Sequence, residues 1–140
     1  MSSINNKNTA NSWEDTILKL NIADNFKLHL QVFLKEVERR YYNYLERLYG
    51  QSGVANKRIG IVIKNGRRYI KISLTYNVSR GTVSETLHSF IDKTNGDILL
   101  PASYSAPARI ARGNIFINYG YEAFNNTGNA DSNYQVRYLD

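Results

Sequence analysis

The sequence contains no cysteine, which excludes a disulfide scaffold, an iron–sulfur site, a thiolate zinc site and a cysteine nucleophile together. Histidine is almost as scarce. His29 and His88 are the only two, and the carboxylates are not gathered to complement them, so a multi-histidine metal centre is excluded and no cofactor is expected. No apolar run approaches the roughly 20 residues of a membrane span, and the first residues, MSSINNKNTANS, lack the apolar stretch of a secretory signal. A soluble, unexported protein with no membrane partner is expected. The sequence also lacks G-x-S-x-G, a Walker loop, H-E-x-x-H and a paired D-x-D, and its acids are scattered, so an enzyme is not expected.

The 140 residues suffice for one domain, able to bury about two thirds of the surface its unfolded chain exposes. Eighteen basic against 12 acidic side chains leave a net charge of +6, and the excess is concentrated. Between Glu46 and Glu85 there is no acidic residue, while Arg47, Lys57, Arg58, Lys64, Arg67, Arg68, Lys71 and Arg80 all fall there. Unopposed cations favour phosphate-bearing partners, because each phosphate contact gains a charge-assisted hydrogen bond and long-range steering. On a hairpin the same charges also keep an exposed edge from pairing. Eleven tyrosines and 17 asparagines add flat faces with polar tips and amides that read hydrogen-bond patterns, which suits polar, planar ligands.

Hydrophobic patterning predicts an α+β fold: N-terminal helices, one of them long and amphipathic, packed on an antiparallel β-sheet. Residues 1–12 lack periodicity and read as a flexible tail, leaving 13–140 as the single domain. Ser12 before Trp13, Glu14 and Asp15 is an N-cap signal for a short helix over 13–20, and Asp24 caps a second. In that second helix Leu30, Leu34, Val37, Tyr41, Tyr44 or Leu45, and Leu48 recur every three or four residues until Gly50, and Glu36 with Arg40 forms a favourable four-residue pair. The period then changes to two. Ile59, Ile61 and Ile63, then Asn65-Gly66, then Ile70, Ile72, Leu74 and Tyr76 describe a β-hairpin. Residues 84–92 and 97–100 follow as two strands joined by a turn over 93–96. The stretch 101–113 reads as an ordered surface loop with a short helix after Pro107, 114–117 as a short strand, 125–133 as a mobile loop and 134–139 as a closing edge strand.

Candidate chemistry lies mainly in that predicted loop. His29 on the helix and His88 in a strand read as packing or hydrogen-bonded residues, and Asp92 and Asp97, flanking one turn, as caps of their own backbone. In 103–116, by contrast, Arg109 and Arg112 lie three apart beside Ser103, Ser105, Asn114, Tyr104 and Gly113. These are parts of a phosphate-and-base pocket: arginine forks hold phosphate, a glycine admits backbone amides, an amide reads a base or ribose edge, and an aromatic stacks.

Residues 89–116, SFIDKTNGDILLPASYSAPARIARGNIF, combine an aromatic-hydrophobic-Asp strand, a Gly-Asp-Ile turn, Ala-Ser-aromatic, Ala-Pro-Ala and Ala-Arg-Gly-Asn-Ile-Phe. This run resembles the first family of phage Thoeris anti-defence proteins, viral sponges for cyclic ADP-ribose signals. The final Tyr138-Leu139-Asp140 also fits that pattern, whereas Tyr104 stands where the family pattern has tryptophan and Leu100-Pro101 where it has Lys-Ala. The resemblance implies that Phe90, Asn95, Ser103, Arg109, Arg112 and Asn114 surround a bound nucleotide, with Arg112 suited to its pyrophosphate. It further implies a homo-oligomer, a dimer or a dimer-based hexamer. Some members carry a second site for cyclic trinucleotides formed by helix residues, for which Arg39, Arg40, Asn43 and Arg47 are the positions here; the same residues also suit a solvated charged face.

The expectation is thus a phage-encoded protein of the host cytoplasm that sequesters a cyclic ADP-ribose isomer intact. The alternative is a single-stranded nucleic-acid binder using the basic 47–84 stretch and tyrosine stacking.

Overall fold

The structure, a computed structural model, describes residues 12–55, 57–79 and 81–124. Residues 1–11 of the predicted tail, the 125–133 loop and the 134–139 strand lie outside the described residues. Helix α1, Trp13–Leu18, begins where Ser12 accepts a hydrogen bond from the Asp15 amide at 3.3 Å, with Glu14 and Asp15 in the first turn complementing the helix dipole. Helix α2, Asp24–Ala55, follows and is kinked at Gly50, whose φ of 77° interrupts the helical backbone where the sequence predicts a stop.

Five strands form one antiparallel sheet in the order β1-β2-β3-β4-β5: β1 Ile59–Asn65, β2 Tyr69–Ser79, β3 Thr82–Asp92, β4 Asp97–Pro101 and β5 Pro107–Asn114. The fold is α+β, as the patterning predicts. From α2, Leu30, Phe33, Leu34, Val37, Tyr41 and Leu45 are buried together with Ile61, Ile70, Ile72, Leu74, Ile91 and Ile98 of the sheet. Leu48, expected on that stripe, is exposed instead, because the helix approaches its Gly50 kink and leaves the core one turn earlier. A bulge in β3 opposite Ile72 and Ser73 makes His88 and Ser89 consecutive buried residues, and the His88 ring lies 2.8 Å from the Ser89 hydroxyl through Nδ1. His88 is therefore a packed, hydrogen-bonded core residue.

Two sequence expectations are corrected. Residues 107–114 form strand β5 rather than a loop with a helix, and 115–117 turn away from the sheet rather than forming a strand. The β5 sequence PARIARGN hides its strand because it is an edge. Pro107 stands at the first position, where no ladder donor is needed, and register breaks opposite Ile98-Leu99 and Leu99-Pro101 erase any alternation. The apolar run Ile115-Phe116-Ile117 leaves the ladder because the Asn114 side chain accepts from the Phe116 amide at 2.8 Å, a turn that competes with strand pairing. A 3₁₀ segment, Asn118–Phe124, then folds back on α2, stacking Phe124 on Phe33 at 5.4 Å.

Candidate functional site

The side chains of a strand alternate between faces, so the residues between Ile70, Ile72, Ile91 and Ile98 point away from α2. Register aligns them into one row across the sheet: Lys64 opposite Lys71, Lys71 opposite Phe90, Phe90 opposite Leu99 and Leu99 opposite Ala111. Phe90 and Leu99 are buried there, 3% and 6% exposed, yet outside the core packed under α2. This outer face holds a cavity of about 380 Å³, lined by Lys64, Asn65, Gly66, Arg67, Arg68, Tyr69, Lys71, Phe90 and Ser105.

Its chemistry is cationic and aromatic. Lys64 and Lys71 are directly opposed, a like-charge arrangement that costs stability unless something offsets it. Tyr104 partly does: the Lys71 ammonium lies 3.3 Å from the centre of the Tyr104 ring, and Lys64 donates a long hydrogen bond of 3.5 Å to its hydroxyl. Lys71 also lies 5.9 Å from the Phe90 ring centre, and Phe90 meets Tyr69 edge to face at 6.1 Å. Arg68 sits 5.3 Å from the Tyr69 ring and donates to Asp92 at 3.2 Å. Four of the eight cations that the sequence leaves unopposed thus surround one aromatic hollow; Arg80 lies outside the described residues.

The cavity's end wall is stitched together by two turns. Lys93 donates to the Asn65 side chain at 2.8 Å and to the Gly66 carbonyl at 3.0 Å, and its amide bonds the Arg68 carbonyl at 2.8 Å. Asp92 accepts from the Thr94 amide at 2.9 Å and hydroxyl at 2.6 Å. Burial pushes the Asp92 carboxyl up, but the bonds from Thr94 and Arg68 outweigh that and hold it below its ordinary value. Asp92 is thereby a backbone cap, as the sequence reading has it, and in addition an arginine anchor.

The residues singled out by resemblance divide. Phe90 lines the cavity, and Ser103 sits in the exposed loop whose Ser105 lines it and whose Tyr104 rests against Lys71 and Lys64 at its rim. Asn95 and Asn114 come together, but in a structural knot: the Asn114 amide donates to the Asn95 carbonyl and to Asp97, while Asn95 caps the Asp97 amide. Arg109, exposed, and Arg112, half-buried at a register break, belong to edge strand β5 and are not part of the lining. On α2, Arg39 and Arg40 both bond Glu36, each with a contact of 2.6 Å, and Arg40 lies 4.3 Å from the Phe124 ring. Burial raises the Glu36 carboxyl, and these two arginines more than reverse it. Arg47 lies 5.9 Å from the Tyr44 ring, and Asn43 is half-buried. The helix arginines are therefore engaged within the fold. Lys64, Arg67, Arg68, Lys71 and Tyr69 are among the lining residues that the resemblance omits; the unopposed charge between Glu46 and Glu85 is the signal that marks the four cations.

Fold and cavity together define a class: a one-sheet α+β domain whose outer face offers cations around aromatic rings. The chain belongs to a family of unknown function, DUF7717, whose model matches residues 6–138. No curated protein and no solved structure matches it. No helix among the described residues is long and apolar enough to cross a membrane.

Proposed function

We propose that this protein binds a small cyclic nucleotide of the cyclic ADP-ribose type and holds it intact, as a phage-encoded sponge that denies a Thoeris effector its signal in the host cytoplasm. The observation that carries this reading is the outer-face cavity, in which Lys64, Arg67, Arg68 and Lys71 surround Phe90 and Tyr69. Phosphates need the cations, and a purine needs the rings. A volume of about 380 Å³ falls in the range of small-molecule sites, which favours one nucleotide over an extended strand. In this reading Arg109 and Arg112 act from a second copy of the chain, since edge strand β5 carries them outside the lining. Sequestration requires affinity without turnover, so no acid or base is assigned.

Calorimetric titration tests the reading. Cyclic ADP-ribose isomers and a single-stranded oligonucleotide are compared at about 50 and 200 mM salt, a range over which strand binding through many phosphates weakens by orders of magnitude. Tight binding of one isomer with shallow salt dependence supports the sponge. Binding of the oligonucleotide alone, steeply salt-dependent, replaces it with the nucleic-acid reading.

A further inference from the structure

Tyr104 sits at the tip of a loop that its own backbone pinches shut: the amides of Ala102 and Ser103 both donate to the Ala106 carbonyl, at 2.9 and 3.1 Å. Residues 102–106 are all exposed, and the Tyr104 side chain is anchored on the sheet by Lys71 beneath its ring and Lys64 at its hydroxyl. The Lys71 ammonium thus lies near two aromatic rings, those of Tyr104 and Phe90, and Lys71 and Phe90 both line the cavity.

We propose that Lys71 and Tyr104 form a latch and lid that select ligands bearing both a phosphate and a planar ring. This rests on the nucleotide reading of the same cavity. A phosphate oxygen competes for the Lys71 ammonium with a charge-assisted hydrogen bond, stronger than a cation–π contact to an exposed ring. Once the ammonium is drawn to phosphate, the Tyr104 face is released to stack on the ligand's ring, opposite Phe90. An anion without a ring opens the latch and leaves the lid uncovered, whereas a ring without charge finds its place taken by the ammonium. The pair therefore makes phosphate recognition a condition of base recognition.

Nuclear magnetic resonance of the full chain, labelled at lysine, tests this with three probes: cyclic ADP-ribose, inorganic pyrophosphate and adenosine. An ammonium 3.3 Å from a ring centre places its neighbouring Cε methylene under the ring current, so the Lys71 signal is expected upfield, absent in Lys71→Arg and at an ordinary position in Tyr104→Leu. Cyclic ADP-ribose and pyrophosphate should each return the wild-type signal to that position, and adenosine should leave it unmoved. Tyr104→Leu should weaken cyclic ADP-ribose binding yet strengthen pyrophosphate binding by about two- to fivefold, because the competing cation–π contact is gone. If cyclic ADP-ribose binds with the Lys71 signal unmoved, the latch is overturned and the nucleotide reading stands. If pyrophosphate alone moves the signal and no nucleotide binds, the nucleotide reading falls and the selection for a ring falls with it. A Lys71 signal that no probe moves overturns the latch.

Discussion

Asn114 holds Asn95: its side-chain amide donates to the Asn95 carbonyl at 2.8 Å and to the Asp97 carboxylate at 2.9 Å, while its oxygen accepts from the Phe116 amide. That one side chain ends β5, steers the chain into the 3₁₀ segment and ties the 93–96 turn to the neighbouring strand. Asn114→Ala is expected to cost about 1–3 kcal/mol, read from urea unfolding midpoints, since it strips partners from three groups. Asn114→Asp should do no better, because it keeps the acceptor but brings a second carboxylate beside Asp97.

Asp92 gives the fold a predictable acid sensitivity. Its folded-state pKa is depressed, so the stability it contributes is complete above the unfolded carboxylate value of about 3.9 and is lost as pH falls through the lower folded value. The stability difference between wild type and Asp92→Asn should therefore be greatest above about pH 4 and shrink as the solution is acidified below it. Urea titrations between about pH 2 and pH 7 measure this difference directly.

Cavity cations and edge-strand arginines should separate by variant. Lys71→Met and Arg67→Ala are each expected to weaken cyclic ADP-ribose binding by about ten- to a hundredfold, the worth of one charge-assisted hydrogen bond. Both positions lie at or near the surface, so unfolding midpoints should barely move. Arg109→Ala should weaken binding without changing the melting temperature of the unliganded protein, and the difference from wild type should vanish below the protein concentration at which a second copy associates.

Gly120 has the closest surroundings of the glycines among the described residues. Its φ is +78°, and a Cβ there would stand 2.6 Å from Ile98 Cδ1 and 2.8 Å from Phe33 Cδ1, inside the core. Gly120→Ala is expected to cost about 1–3 kcal/mol from overpacking in addition to about 1–2 kcal/mol for the left-handed backbone. Gly50→Ala, at φ +77° with nothing within 4 Å, should show the backbone cost alone. Thermal midpoints of the two variants measure these costs, which differ in backbone region as well as in packing, since ψ is 166° at Gly50 and 5° at Gly120.

The architecture was legible where side chains obey a period. Leu30 to Leu45 and Ile59 to Tyr76 face one core, so helix spacing and strand alternation betray them. Strand β5 was not legible, because an edge strand broken by two register shifts owes its pairing to the β4 backbone and leaves Ile110 68% exposed. Phe116 and Ile117 misled for the opposite reason: a strand-like run is overruled by the local hydrogen bond of Asn114. The candidate site shows the same division. Phe90 was found through resemblance, and the cations around it through an absence of acids, but only the register that aligns Lys64, Lys71 and Phe90 joins the two signals into one cavity.

The most direct test of the sponge is what the protein carries away. The purified chain is mixed with a panel of cyclic ADP-ribose isomers, freed of unbound ligand, denatured by heat, and the released material is identified by mass spectrometry. Recovery of one isomer, intact and in near-stoichiometric amount, is the predicted result; no retained nucleotide, or a cleaved product, would contradict it.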